Sequence, residues 1–214
     1  MPAPLLSREE LLARLADTFR RYGYEGASMS RIALATGLGK ASLYHHFPSG
    51  KQQMAEEVIL STRAWFDANV FKALETVSPP RQRLVNMLDT LSKHYQGGMV
   101  ACVPGLFSLT EERALFAEPI KDFYLRWVAC LTQVAIDSGL AYDIATRRAH
   151  GGVERIQGAL VLSRSFDDPR TFAAMAAELP DLMLVGGDRA NIWSTRTPRF
   201  PSAPTPLHAR PLRA

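Results

Sequence analysis

An apolar pattern with a helical period runs through almost the whole chain, and it limits the possible folds more than any other feature. One segment places apolar residues at i, i+3, i+4, i+7 and i+11, namely Leu84, Met87, Leu88, Leu91 and Tyr95. This spacing puts all five on one face of an α-helix. No two alternating runs flank a hairpin dipeptide, so we find no strand pair. The sequence therefore predicts an all-α fold.

Charge and composition divide the chain into three parts. Residues 1–51 carry a net charge of +3, residues 52–186 a net charge of −3, and residues 187–214 a net charge of +4. A basic N-terminal unit favours an anionic partner, although a charge this small also fits a solvated surface. The last part holds five prolines and five arginines, so we predict a disordered tail. A non-specific DNA or partner contact is the alternative for this tail.

Several classes of protein are not expected from these residues. Cys102 and Cys130 form neither a disulfide framework nor a metal-ligand cluster. His45 and His46 are neighbours on a helix and point about 100° apart, so we predict no metal site. No cofactor-binding motif is found. With no apolar run of about 18 residues and no secretory pattern at the N-terminus, a reducing cytoplasm is the expected location.

The stretch from Ser28 to Phe47 predicts a helix, a tight turn at Gly37 and a second short helix from about Lys40. This is the helix-turn-helix arrangement. Apolar residues can pack the two helices together and onto a preceding helix that begins with the capping-box pair Ser7 and Glu10. These residues are Ile32, Ala33, Leu38, Leu43 and Phe47.

The second of these helices exposes short polar and aromatic side chains, which suit a helix lying in a DNA major groove. Its N-terminal residues are expected to reach base edges, which nominates Lys40, Ala41 and Ser42. Phosphate contacts are expected from Ser28, Tyr44, His45 and Lys51. The complete set of candidate DNA-binding residues is Ser28, Ser30, Arg31, Lys40, Ala41, Ser42, Tyr44, His45, His46 and Lys51.

Residues 8–55 resemble the N-terminal domain of TetR-family transcriptional regulators. The resemblance rests on the Ile32-Ala33 pair, on Gly37, and on the run Leu43-Tyr44-His45-His46-Phe47 followed by Lys51. The stretch from Tyr44 to Met54 is similar to a subset that contains the LmrA/QacR-like regulators. Ser42 stands where the family often has Thr, and the linker before Lys51 is one residue longer than in many members.

The resemblance implies a repressor that binds a near-palindromic operator as a homodimer and is released by a small ligand. It implies a helix-turn-helix DNA-binding domain over residues 1–51 and a larger helical domain for ligand binding and dimerisation over residues 52–186. A helix predicted from about residue 51 to 77 would join them. Two-fold symmetry would double the few base pairs that one helix-turn-helix reads.

Apolar faces of the later helices supply candidates for the ligand cavity, with plain core packing as the alternative. Few charges lie on these faces, so a largely apolar or aromatic ligand is expected. The candidates are Trp65, Phe66, Met87, Tyr95, Met99, Cys102, Phe107, Phe123 and Trp127. Helices predicted at about 143–166 and 170–185 carry small residues on one face, which allow close helix approach. The resemblance implies a four-helix dimer interface there, with ordinary intrachain packing as the alternative. The interface candidates are Gly152, Ile156, Ala159, Leu160, Phe172, Met175 and Leu179.

Two further hypotheses belong to other classes of function. A helix-turn-helix protein could be regulated by a protein partner, in which case no ligand cavity is expected. An enzyme could use the C-terminal cavity with Cys102 as a nucleophile and His94 as its base. The sequence offers no third orienting residue and no oxyanion loop for such an enzyme, so we predict that the chain is not an enzyme.

Overall fold

A computed structural model describes residues 6–109 and 111–184, and within these ranges the chain is helical and contains no strand. The predicted all-α fold is confirmed. The proposed tail at 187–214 lies outside the described residues. The α-helices are α1 (Arg8–Gly26), α2 (Met29–Thr36), α3 (Lys40–His46), α4 (Lys51–Phe66), α5 (Lys72–Leu74), α6 (Pro80–His94), α7 (Val103–Phe107), α8 (Ala117–Asp137), α9 (Tyr142–Phe166) and α10 (Arg170–Met183).

The first helix begins at the predicted capping box. The Glu10 backbone N–H donates to Ser7 Oγ at 3.1 Å, and the Ser7 backbone N–H donates to Glu10 Oε2 at 3.0 Å. Near its end, Gly23 has a φ of 68° inside the assigned helix and kinks it. The kink changes which side chain faces inward, so Tyr24 is buried, whereas Tyr22, expected on the apolar face, is 38% exposed.

Buried apolar side chains form two clusters. The N-terminal cluster draws on α1 to α4, and it also includes Val103, Phe107, Phe116 and Ile120 from much later in the chain. The C-terminal cluster runs from the end of α4 to α10 and contains most of the large aromatic residues. The segment around α7 therefore packs against the first helices, although about eighty residues separate them in sequence.

The helix predicted from about residue 51 to 77 is not one regular α-helix. It is α-helical to Phe66, π-helical over Asp67–Phe71, and α-helical again only to Leu74. A π-turn contains one residue more than an α-turn and so rotates the buried face. Phe66, Val70 and Phe71 are all buried across this change. The periodicity of the sequence did not reveal the insertion.

Two smaller differences concern loops and proline. The stretch after Gly98, predicted to be irregular, contains the short helix α7 and a 3₁₀ helix at Glu111–Phe116. Pro180, expected to kink or split the last helix, lies in the last turn of an undivided α10. None of the helices in the described part of the chain is long and apolar enough to cross a membrane.

Candidate nucleic-acid interface and helical body

The helices α2 and α3 are joined by a tight turn that requires glycine. Gly37 has a φ of 73°, in the left-handed region that side chains other than glycine rarely adopt, and its N–H donates to the Ala33 carbonyl at 2.9 Å. Arg14 of α1 donates from Nη1 to the Thr36 carbonyl at 3.1 Å. These contacts end α2 and fix the direction in which α3 begins.

Three apolar side chains hold this unit together. Ile32, Leu43 and Phe47 are fully buried in the N-terminal cluster, and Ala33 and Leu38 pack against it partly buried. The predicted packing of the helix-turn-helix is therefore confirmed. With its apolar residues turned inward, α3 presents the rest of its length to solvent.

The outward side of α3 carries the predicted set of polar and aromatic groups. Lys40, Ala41, Tyr44, His45 and His46 are exposed. Ser42, also predicted, is only partly buried. The rings of His45 and His46 lie 5.9 Å apart in an edge-to-face arrangement. This surface offers a cation and hydroxyl donors, which phosphates and base edges can bind. It also offers a methyl group, which can contact a thymine methyl.

The start of α2 lies exposed beside this surface. Ser28 is the N-cap, and its Oγ accepts from the Arg31 backbone N–H at 3.4 Å. Ser30 is exposed. The Arg31 guanidinium donates to the Gly26 carbonyl at 2.7 Å and lies 4.5 Å from the Tyr22 ring centroid. These contacts orient Arg31 in advance. A phosphate contact by Arg31 remains a prediction, and it would cost correspondingly less entropy.

Lys51 is partly buried and already has protein partners. Its Nζ donates to the Tyr24 carbonyl at 3.1 Å, lies 3.6 Å from Glu25 Oε1, and sits 4.2 Å from the Tyr24 ring centroid. One N–H of the ammonium is thus committed within the chain. A phosphate contact by Lys51 remains a prediction, and the structure gives this residue a second role in tying α4 to the end of α1.

The aromatic residues proposed for a ligand cavity pack mainly against one another. Phe66 lies 4.8 Å from Phe123 and 5.1 Å from Trp127, measured between ring centroids. Trp65 stacks on His94 at 3.8 Å, and burial lowers the pKa of His94 to about 4. Met87 and Tyr95 are also fully buried, and Met99 is partly buried. A direct part for these residues in ligand binding remains a prediction.

Phe107 and Cys102 depart from that group. Phe107 belongs to the N-terminal cluster, where its ring lies 5.4 Å from Phe19 and 6.1 Å from Tyr24. Cys102 lines a cavity of about 400 Å³ that lies between α7, α8 and α9 and is open to solvent, and its Sγ lies 4.0 Å from Tyr124 Oη. Sequence reasoning missed this cavity, because its walls come from three helices that are distant along the chain.

The residues proposed for a dimer interface face the interior of the single chain. Gly152, Ile156, Ala159, Leu160, Phe172 and Leu179 are buried, and Met175 is partly buried. The glycine shows the reason, because a Cβ at Gly152 would lie 2.9 Å from Met183 Sδ and 3.6 Å from Leu131 Cδ1. The small residues therefore allow α9 to approach α8 and α10. These residues pack within the single chain, and a part for them in a dimer interface remains a prediction.

Near its end, α9 also carries exposed apolar side chains that sequence reasoning passed over. Val161, Leu162 and Phe166 are 48%, 45% and 65% exposed. Leu162 and Phe166 are four residues apart and therefore lie on one side of the helix, and that spacing was the available signal. Exposed apolar side chains grouped on one helix are typical of an interaction surface.

Known proteins match this chain over most of its length. Residues 11–58 match the family model described as bacterial regulatory proteins, tetR family. The regulator LmrA of Bacillus subtilis is 25% identical over 183 residues, which cover 83% of this chain and 96% of LmrA. KstR2 of Mycolicibacterium smegmatis, named a transcriptional repressor, is 34% identical over 84 residues that cover 39% of this chain and 40% of KstR2.

Solved structures share the fold along most of the chain. A TetR transcriptional regulator from Legionella pneumophila superimposes with a TM-score of 0.72 at 20% identity, covering 83% of this chain and 97% of that one. A cysteine mutant of the regulator CifR, solved with a 26-bp double-strand operator DNA, has a TM-score of 0.67 at 17% identity, with 83% and 97% covered. Residues 11–58 match the tetR-family model, LmrA is similar along most of the chain, and the helical body shares the fold of solved TetR regulators, so the chain carries the DNA-binding domain of the TetR family of transcriptional regulators.

Proposed function

We propose that this protein is a repressor that binds a near-palindromic operator as a homodimer and releases it when a small, largely apolar ligand enters the C-terminal half. The observation that carries the proposal is the outward side of α3, where Lys40, Tyr44 and His45 are exposed beside a buried Leu43. KstR2 is named a repressor, which supports repression over activation.

The exposed apolar pair Leu162 and Phe166 on α9 supports the homodimer. A second copy that met these two residues with the same two would remove them from water, since a two-fold interface is self-complementary. The exposed residues of α10 include the alanines Ala173, Ala174 and Ala177, whose small side chains allow close approach. We therefore propose that exposed residues of α9 and α10 form the interface.

A route from ligand to DNA runs through α7. One side of this segment lines the cavity, while Val103 and Phe107 pack into the N-terminal cluster. Just before α7, the Ala101 carbonyl accepts from Arg20 Nε of α1 at 3.0 Å. A ligand that favours a shifted α7 would therefore move α1 and the reading helix. It can bias the two states only by the difference in its affinity for them.

The test is selection of bound duplexes from a random DNA library by the purified protein at about physiological salt, because phosphate contacts alone mimic affinity at low salt. We expect an inverted repeat to be recovered. Lys40→Ala is expected to weaken binding to that repeat by about 1–3 kcal/mol, because it removes one base contact. Lys72→Ala, which removes an exposed lysine of α5, is the matched control and should leave operator affinity unchanged.

Two results would count against the proposal. Recovery of no motif by the ligand-free protein would contradict a sequence-reading repressor. An operator affinity unchanged by Lys40→Ala would contradict the base contact assigned to Lys40 while leaving the rest of the reading helix in place.

A further inference from the structure

The cavity between α7, α8 and α9 has mostly apolar walls. Leu106 and Leu109 close it from the α7 side, and Leu160 and Val161 of α9 lie opposite. Its volume of about 400 Å³ falls within the range of small-molecule sites. Walls of this kind select a hydrocarbon or aryl body, because burying apolar area drives such binding.

Polar groups of Gln157 and Tyr124 interrupt these walls at one place. Gly105 has no side chain, and a Cβ there would lie 2.8 Å from Gln157 Oε1 and 3.1 Å from Tyr124 Oη. The glycine thus lets both polar groups lie against α7. Gln157 Nε2 is buried and has no hydrogen-bond partner among the described residues. Burial raises the pKa of Tyr124, so its hydroxyl stays protonated and can donate.

A buried donor without an acceptor is costly, so it points to a missing acceptor. An oxygen atom of a ligand placed between Gln157 and Tyr124 would satisfy both N–H and O–H groups. A ligand with only donors would leave them unmatched. The polar end of the ligand is therefore an oxygen acceptor.

The charged residues in the cavity lining narrow the chemical class of the ligand further. Arg164 is the one charged residue in the lining, and no aspartate or glutamate lines the cavity within the part of the chain described. Its Nε donates to the Leu160 carbonyl at 3.0 Å, and among residues 6–109 and 111–184 no carboxylate forms an ion pair with it. In the larger groove beside Pro80, by contrast, Arg83 pairs with Asp137 and Arg126 pairs with Glu75.

We propose that this cavity binds an amphipathic carboxylate, with its apolar body between α7 and α9 and its carboxylate held by Gln157 and Arg164. The inference rests on the proposed function and names the chemical class of the ligand. Anionic amphiphiles are favoured over cationic ones, because a cation would meet an unpaired guanidinium without any carboxylate to offset it.

The experiment uses the full chain and three probes that each contain an unbranched ten-carbon chain, namely decanoate, 1-decanol and the decyltrimethylammonium ion. Binding is measured by isothermal titration calorimetry below the concentrations at which the probes form micelles. Decanoate is expected to bind about tenfold more tightly than the cation, as a charge-assisted hydrogen bond would give. Arg164→Gln should remove about that factor for decanoate and leave 1-decanol unchanged. Gln157→Leu should weaken both decanoate and 1-decanol.

The matched control is Arg147→Gln, since Arg147 lies exposed on the same helix and pairs with Asp143 outside the cavity. Thermal unfolding of each variant verifies that it folds. Equal affinity for the three probes, or decanoate binding that both cavity variants leave unchanged, would overturn the site. Selection of operator duplexes tests the proposed repressor function separately. If the protein selects an inverted repeat but binds decanoate and the cation equally, the proposed function stands and this inference fails.

Discussion

The helices α3 and α9 each bury one side and expose the other, but their exposed sides differ in chemistry. On α3 the exposed residues are mostly polar, among them Lys40 and His45, while Leu43 is buried. On α9 the exposed residues include Leu162 and Phe166, while Ile156 is buried. A polar exposed side suits a nucleic acid with its charged backbone, and an apolar one suits a second protein surface.

The comparison teaches that an apolar pattern alone does not say which partner covers a helix. In α3, with only seven residues, one apolar position and a polar remainder leave a single arrangement. In α9, with twenty-five residues, small and large apolar positions occur on two sides. Only the positions of α8 and α10 decide which of those sides is the core.

The largest effect should come from the buried side of α9. Ile156→Ala removes a fully buried side chain from the C-terminal cluster, and we expect the free energy of unfolding to fall by about 2–5 kcal/mol. Urea unfolding followed by circular dichroism measures it. Glu154→Ala, an exposed change two residues away, should alter stability by less than about 0.5 kcal/mol. An equal loss in both variants would show that Ile156 is not part of the core.

The exposed side of α9 should control assembly more than stability. Leu162→Glu with Phe166→Glu places charges on the proposed interface, so we expect the dimer to dissociate and operator affinity to fall by about 100-fold, since two linked half-sites become independent. Analytical ultracentrifugation and DNA-binding anisotropy measure the two effects. Leu125→Glu changes an exposed leucine of α8 and is the control. A stable dimer in the double variant would move the interface elsewhere.

A smaller effect is the pH dependence of stability that His94 gives to the C-terminal cluster. Burial, with a further contribution from the charge of Arg20, lowers the pKa of His94 from 6.5 to about 4. Protonation of His94 therefore favours the unfolded chain. Stability from the neutral imidazole is complete above pH 6.5, falls as the pH is lowered towards about 4, and changes no further below it.

His94→Phe tests this dependence because it keeps an aromatic ring for stacking on Trp65 and removes the titrating group. Urea unfolding at several pH values between 7 and 4 should show a shallower loss of stability in the variant than in the wild type. Identical pH profiles would mean that other groups account for the acid sensitivity. The helix-turn-helix packing does not involve His94, so the comparison isolates the C-terminal half.

Much of the N-terminal unit could be predicted, because its signals are local. Ser7 with Glu10, Ser28 and Gly37 each act through a hydrogen bond or a backbone angle within a few residues. The polar side of α3 followed directly from the burial of its apolar residues. The kink at Gly23 rotates the end of α1, so Tyr24 is buried and Tyr22 is exposed. The spacing of apolar residues does not reveal such a kink.

The C-terminal half was predicted less well for a physical reason. Helical spacing predicted the longer helices, but it did not predict the π-turn at Asp67–Phe71 or the short α7, which arise from packing between elements. The small residues near Gly152 were predicted to face a second chain, and within this chain their size allows the contact of α9 with Met183 and Leu131. Phe107 was predicted to line a ligand cavity, and its ring packs into the N-terminal cluster.

The sequence by itself determined that the chain is helical and that residues 28–47 form a helix-turn-helix with a polar outer side, because both depend on the period of nearby residues. The tertiary structure decided which side of α9 is buried, how α7 joins the two clusters, and that Gln157 and Arg164 face one cavity. Those outcomes depend on which distant helices come into contact. A period along one helix describes its own faces and carries no information about the neighbour that covers each of them.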